Sequence, residues 1–365
     1  MLTVAVFTDT YLPTVNGVTY TVETWRDRWN RRDGRMPVVY PANSAYDPSG
    51  DEWPVPSVPF PFYRGFRFGW PKLPDAVDGS APDVVHAHTP FTLGLAGRRF
   101  ARRLDVPLVA SYHTPASEYA TYISDAFAGA IRRAADRYER WFFRGADAVV
   151  VPSETARARV EPNGTPVHVV SNGVDIDRFR PLDSETTAAF RDRHGLPDGP
   201  LVGYTGRHGH EKQLDDLLAA TANVDATVVL AGDGPARPRL ERLAAARRDV
   251  YFLGFLDRCE LPAFYAALDV FAFPSPVETQ GLVALESIAA GTPVVAVDAG
   301  ALSETVTDGE TGYHYRPTDI DGFEAAIRRA LADRPVLAEH CLACRDELSV
   351  EHSIDALAAV YDAVT

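Results

Sequence analysis

Two series of short β-branched runs, most of them followed by a helical stretch, organise this chain of 365 residues. The first series has runs at 2–8, 37–40, 83–87, 107–112, 147–151 and 167–170, with helices predicted over 17–31, 91–104, 127–144 and 153–159. The second has runs at 201–205, 226–231, 249–253, 269–273 and 293–297, with helices predicted over 212–221, 235–248, 260–268, 281–290, 320–332 and 334–348. Strands separated by helices pair in parallel, because the crossover returns the chain to the edge from which it started. The expected fold class is therefore α/β, with two doubly wound parallel sheets. The turn-rich segment Ser171–Pro181 joins them, giving expected domains of 1–174 and 175–348. A last helix near 352–364, within 349–365, has no strand after it, and either unit, the N-terminal one included, offers it a packing surface. Such sheets bind ligands at the carboxyl ends of their strands, and two in tandem are expected to face a cleft.

Composition and charge remove several classes. No apolar run reaches the roughly 20 residues that span a bilayer. The opening MLTVAVFTDTYLP lacks a cationic leader and reads as a strand, so the expected location is cytoplasmic, with the inner membrane face as a peripheral site. Three cysteines make no disulfide framework. Net charge is −14, and the basic residues are 34 Arg and only 2 Lys, the Asp-rich and Lys-poor usage of proteins from salt-loving organisms. Residues 1–175 are neutral overall and 176–365 carry the whole acidic excess, so the two halves present different fields. An acidic chain without a dominant basic stripe is not expected to bind nucleic acid.

Two motifs in the second half carry chemistry. In PSPVETQGLVALESIAAGTPVV (Pro274–Val295) a strand ends at Phe273, Glu278 sits in the loop, and a helix opens near Gly281 with Glu286 just over one turn inside it. The amides of Gln280, Gly281 and Leu282 at the helix start make an anion site. Two carboxylates beside it suit a ligand with hydroxyls around a diphosphate; a helix-capping Glu with a solvated Glu is the other reading. In GYTGRHGHEKQLDDLL (Gly203–Leu218) Arg207 and His208 follow a strand, and Lys212 is expected in the first turn of the next helix. The helix dipole disfavours a cation there unless a polyanion is near, and a compact ammonium reaches a phosphate oxygen differently from a guanidinium. An exposed surface pair is the alternative. In the first half, Gly17 of PTVNGV lets backbone approach a phosphate closely, or forms an ordinary strand-to-helix turn. His113 of SYHTP stands at the carboxyl end of a strand, or is a buried structural histidine. His86, His88 and His113 lack a carboxylate or cysteine to complete a metal site, and His340, Cys341 and Cys344 lack a second pair, so no metal is expected.

Together these residues resemble the retaining glycosyltransferases of family 4, whose signature the Arg207/Lys212 pair and the E-x7-E pair Glu278/Glu286 match. AGDGP (Ala231–Pro235), LGFLDR (Leu253–Arg258), SNGVD (Ser171–Asp175) and DTYLPTVNGV (Asp9–Val18) extend the likeness over nearly the whole chain. The resemblance implies the GT-B architecture, two Rossmann-like domains facing a cleft, the first for the acceptor and the second for the nucleotide sugar. It implies a UDP- or GDP-hexose as co-substrate and no cofactor. Arg207 and Lys212 would hold the donor diphosphate and stabilise it as it leaves. Glu278 would hold sugar hydroxyls and Glu286 the ribose. Gln280, Gly281 and Leu282 would support sugar and phosphate, Gly254 and Phe255 would border the base, Gly17 would meet a phosphate, and His113 would touch the donor sugar near the reacting carbon. The one D-x-D match considered, Asp175–Ile176–Asp177, lies in the joining segment, so two cations and a helix dipole would stand in for Mg²⁺. Retention implies a front-face displacement: the acceptor hydroxyl attacks on the leaving-group side, and a donor phosphate oxygen takes its proton.

The acceptor is read from the first half. Arg98, Arg99, Arg102 and Arg103, and then Arg132, Arg133, Arg137, Arg140 and Arg144, cluster on two helices, and Pro59–Pro74 mixes aromatics with Arg64, Arg67 and Lys72. An anionic membrane attracts such surfaces, although Pro59–Pro74 also reads as a plain strand and loop. The ETQG form of the Glu motif, with HTPFTLGLAGRRFARRL and SYHTPASEY, looks like the subgroup that glycosylates diacylglycerol-type lipids. A membrane lipid or lipid-linked glycan is therefore the expected acceptor, with a soluble or polysaccharide acceptor as the alternative. The other classes are a non-catalytic sugar-nucleotide-binding protein and a dinucleotide oxidoreductase; for the latter the best loop, Gly232–Arg237, lacks the third glycine of G-x-G-x-x-G. In a thermal-shift measurement UDP or GDP should raise the melting temperature and NAD should not; stabilisation by NAD alone would overturn the transferase reading.

Overall fold

The computed structural model describes residues 1–60, 66–73, 77, 79–113, 128–160 and 164–365. Arg64, Pro74 and the TPASEY part of SYHTPASEY lie outside the described residues. The rest forms two compact units, Met1–Asn172 with Val350–Thr365, and Gly173–Ser349. No described helix is long and apolar enough to cross a membrane.

In the first unit the order is β1 (Val4–Phe7), α1 (Gly17–Arg31), β2 (Val38–Pro41), β3 (Glu52–Val55), β4 (Ser57–Pro59), β5 (Arg67–Gly69), β6 (Val84–Ala87), α2 (Thr92–Leu104), β7 (Leu108–Ser111), α3 (Ala128–Phe143), β8 (Ala148–Val151), α4 (Glu154–Val160) and β9 (Val167–Val169). Seven strands form a parallel sheet in the order β3-β2-β1-β6-β7-β8-β9, and β4 pairs with β5 antiparallel. All four residues of β1 are fully buried, as are Val84, Val85 and Ala87 of β6. Helices on both faces leave such a strand no polar side, so it is apolar throughout, and each fully buried Val or Phe contributes about 1.5–3 kcal/mol. Helix α1 begins where the Asn16 side chain accepts from the Thr19 amide, satisfying one of the donors a helix start leaves open. The last helix, Val350–Val364, packs in this unit: Tyr361 meets Trp29 edge-on at 5.2 Å, and Arg32 pairs with Glu351 and Asp355.

The second unit runs α5 (Ser184–His194), β10 (Leu201–Thr205), α6 (Leu214–Ala220), β11 (Thr227–Ala231), α7 (Arg237–Leu243), β12 (Val250–Gly254), α8 (Leu261–Ala267), β13 (Val270–Phe273), α9 (Leu282–Ala289), β14 (Val294–Val297), α10 (Leu302–Thr305), β15 (Gly312–Tyr315), α11 (Ile320–Ala332) and α12 (Arg334–Ala343). Its sheet is parallel, in the order β12-β11-β10-β13-β14-β15. The fold class is thus α/β with two doubly wound sheets, the GT-B kind. In each sheet the strand order reverses once, at β1/β6 and at β10/β13. There the connections leave to opposite faces, and a crevice opens at the carboxyl ends.

The sequence pattern misses one margin of each sheet. β3 (EWPV) and β15 (GYHY) are edge strands, where Pro, Gly and polar residues are tolerated. Two predicted helices are also broken. His210–Lys212 is a separate 3₁₀ turn, Gln213 follows at φ +48°, and α6 starts only at Leu214. Lys212 therefore precedes the helix instead of occupying its first turn, and the dipole argument does not apply to it in that form. The stretch 334–348 is α12 followed by a 3₁₀ turn, Arg345–Leu348.

One glycine holds two loops together. Gly232 has φ +111°, and a Cβ there would stand 2.0 Å from the Gly206 carbonyl oxygen. Gly232→Ala should lower stability by at least about 2 kcal/mol in urea unfolding; unchanged stability would contradict this close packing.

Candidate functional site

β10 and β13 are neighbours at the reversal of the second sheet, and the loops leaving their carboxyl ends carry Arg207, Lys212 and Glu278. After β10 the chain turns at Gly206, φ +141°. The next residues lie against the loop after β11: the His208 amide donates to Asp233 O at 2.9 Å, and the Ala236 amide donates to His208 O at 2.8 Å. A Cβ on Gly234 would come within 2.6 Å of His208 O. The glycines of AGDGP thus serve backbone-on-backbone packing that braces the Arg207 loop. From beneath, the buried Tyr204 hydroxyl donates to Arg207 O at 3.3 Å. The guanidinium of Arg207 lies 2.6 Å from Glu211, and the Lys212 ammonium pairs with Glu278.

The Glu278 loop is pinned in turn. Its carbonyl accepts from the Ala301 amide at 3.2 Å, and Thr305 Oγ1 donates to Gln280 O at 2.6 Å. Gly281 precedes α9 at φ +84°, and no side chain caps that helix. Glu278 is therefore no capping residue. Each cation is held by a carboxylate. Among the expected donor residues, Gln280 is buried, Leu282 begins α9, Gly254 ends β12 at φ +74°, and Phe255 is 60% exposed.

Glu286 is not a solvated acid. It is 2% exposed; the Tyr265 hydroxyl donates to Oε2 at 2.8 Å, and Arg258 donates to Oε1 at 3.3 Å. Burial pushes its pKa up from the usual carboxylate range, against the pull of Arg258 and Tyr265. Sequence reasoning missed Tyr265, Arg258 and Glu211 as partners. Tyr265 is buried in the short helix LPAFYAA, whose other residues are all apolar, so a polar partner there has no local signal.

In the first unit the reversal lies between β1 and β6. Asp9, just after β1, is buried and accepts from Thr89 Oγ1 at 2.6 Å, Thr92 Oγ1 at 2.7 Å and the Leu93 amide at 3.0 Å, tying the β1 loop to the start of α2. Gly17 opens α1 with nothing within 4 Å of its Cβ position. His86, His88 and His113 form a row. His86 Nδ1 is 2.6 Å from the Tyr361 hydroxyl, His86 Nε2 is 2.7 Å from Ser111 Oγ, and His88 Nδ1 is 2.9 Å from His113 Nε2. The Trp25 ring lies 5.7 to 6.4 Å from all three rings. Burial pushes His86 down to about 3 and His113 to about 4, and holds His88 well below its usual value. At neutral pH His113 is therefore an uncharged hydrogen-bonding group and not a cation.

Among the described residues no three His, Cys, Asp or Glu side chains are grouped to hold a metal ion. Cys341 and Cys344 donate to the carbonyls of Thr311 and Cys341, at 3.6 and 3.3 Å. Arg98, expected in the surface cluster, is buried, with its guanidinium 4.5 Å over Trp141. Arg99, Arg102 and Arg103 are exposed, as are Trp70 and Trp141.

Comparison with known proteins agrees over both units. Residues 15–178 match the family model described as Glycosyltransferase Family 4, and residues 187–346 match Glycosyl transferases group 1. The chain is 31% identical over 360 residues to an alpha-monoglucosyldiacylglycerol synthase of Streptococcus pneumoniae, covering 93% of this chain and 80% of that protein. It is 34% identical over 343 residues to a GDP-mannose-dependent alpha-mannosyltransferase of Mycolicibacterium smegmatis, covering 90% and 87%. Among solved structures, it is similar to a sucrose-phosphate synthase from Thermosynechococcus elongatus (TM-score 0.80, 21% identity, 99% of this chain and 98% of that one).

The buried histidines make stability fall on acidification. Their folded pKa values lie below the unfolded value of about 6.5, so the unfolded chain takes up protons first as pH drops below it. Each ring should cost about 1.4 kcal/mol per pH unit until its folded pKa is reached. Urea unfolding followed by tryptophan fluorescence should show the midpoint falling between pH 7 and pH 5; a constant midpoint would contradict neutral buried rings.

Proposed function

Because the chain belongs to the family 4 and group 1 glycosyltransferases, we propose that it transfers a hexose, with retention, from a UDP- or GDP-sugar to a hydroxyl of a membrane lipid or lipid-linked glycan. The observation that carries this reading is the meeting of Arg207, Lys212 and Glu278 on the two loops at the β10/β13 reversal. A diphosphate arriving there exchanges its oxygens for the carboxylates that hold the cations, and Glu278, once released, is free to accept from sugar hydroxyls. As the bond from the anomeric carbon to the phosphate oxygen breaks, negative charge grows on the diphosphate, and Arg207, Lys212 and the Gln280–Leu282 amides stabilise it without reorganising. The acceptor oxygen bonds to that carbon on the same face, and its proton passes to a phosphate oxygen of the leaving group. No metal ion is needed for this balance of charge. In the first unit, Gly17 leaves open space beside its backbone, and His113 is an uncharged hydrogen-bonding group. Glu286 takes the ribose, and Gly254 with Phe255 borders the base.

The first unit takes the acceptor in this reading. The exposed Arg99, Arg102, Arg103, Trp70 and Trp141 support peripheral contact with anionic lipid at the inner membrane face. The Streptococcus pneumoniae relative, a glycolipid synthase by name, supports the lipid acceptor. A structural neighbour from Anabaena, HepE, solved in complex with UDP, supports the nucleotide.

With UDP- and GDP-hexoses and a lipid extract, radiolabel should move into lipid rather than into soluble sugars, and the anomeric configuration of the product should equal that of the donor. Lys212→Ala and Glu278→Ala should each lower transfer by at least ~10²-fold with the fold intact; near-wild-type rates for both would overturn their roles.

A further inference from the structure

Enclosing an ionised carboxylate is costly unless its oxygens are paired. At Glu286 two side chains donate to the carboxylate among the described residues. Tyr265, on α8, is itself fully buried, and its hydroxyl donates to Oε2. Arg258, in the turn before α8, donates to Oε1 while its guanidinium sits 5.5 Å over the Phe179 ring. Both donors are anchored by packing, so the carboxylate cannot turn without losing one of them. A carboxylate has about four acceptor positions. Among the described residues these two donors take one position on each oxygen, which leaves one position on each. Two free acceptor positions side by side are what a pair of vicinal hydroxyls requires.

We infer that Tyr265 and Arg258 are positioning residues, which hold the Glu286 carboxylate so that its two remaining acceptor positions receive the 2′- and 3′-hydroxyls of the donor ribose. The inference rests on the assignment of Glu286 to the ribose and adds what orients it. A pair that merely neutralised a buried acid would affect every nucleotide alike. A pair that aims the carboxylate affects only ligands that carry both hydroxyls, because a site built to bond a hydroxyl discriminates against the analogue lacking it.

Dissociation constants of the full chain for UDP and GDP, and for their 2′,3′-dideoxy counterparts, test this by calorimetry. The wild type should prefer the ribonucleotide. Tyr265→Phe should shrink that preference by about tenfold, the loss of one hydrogen bond to a charged group, and leave the dideoxy affinity unchanged. Arg258→Lys should act in the same direction and carries the test if Tyr265→Phe does not fold. In a Glu286→Ala background, Tyr265→Phe should change nothing further. If Glu286→Ala removes the preference and both Tyr265→Phe and Arg258→Lys keep it, the positioning role is wrong and the ribose assignment stands. If Glu286→Ala keeps the preference, or neither diphosphate binds, the ribose assignment itself falls. Equal weakening of ribo and dideoxy ligands would mark a structural role and overturn the inference.

Discussion

Parallel pairing is the constraint from which the rest follows. When every strand in a sheet runs the same way, every carboxyl end lies along one edge. The helices that return the chain must then cover both faces, which is why the strands are apolar on both sides. One reversal of order per sheet remains, and the loops leaving the two strands there cannot cover one another. In the second unit those are the loops of Arg207 and Glu278, and in the first they are the loops of Asp9 and His88. Residues more than sixty positions apart, Lys212 and Glu278, meet through this geometry alone.

Charge in these places is held in two ways. Arg207 and Lys212 keep part of their surface exposed and are held by Glu211 and Glu278. Glu286 and Asp9 are enclosed, and their bonds come from hydroxyls, an amide and a guanidinium that packing holds still. His86 and His88 are enclosed too, and desolvation keeps the histidine row uncharged. A half-open ion pair suits a ligand that comes and goes, and a closed one suits a group whose orientation must persist.

Much of this is legible in the residues. The central strands are short β-branched runs between helices, and their positions follow from that pattern within a residue or two. The edge strands β3 and β15 are not legible, because Pro, Gly and polar residues interrupt EWPV and GYHY; the opposite edges β9 and β12 follow the pattern. The break at Gln213 is hidden because a non-glycine residue rarely takes positive φ. Glu278, Glu286, Arg207 and Lys212 stand out by spacing, because each follows a strand into a loop or helix start. Their partners do not: Tyr265 lies 21 residues from Glu286, and Tyr361 lies 275 from His86. Such contacts depend on how elements pack, which no local window contains.

The chain leaves the first unit after Asn172 and returns to it at Val350. The ribosome therefore delivers all of Gly173–Ser349 before the helix that covers Trp29 and reaches His86. Through most of translation, Val4, Val6, Trp25 and Trp29 lack the Ile354, Leu357 and Tyr361 side chains that share their cluster. The first half of the molecule to be made is thus the last to be finished, and its nascent form carries an uncovered apolar strip.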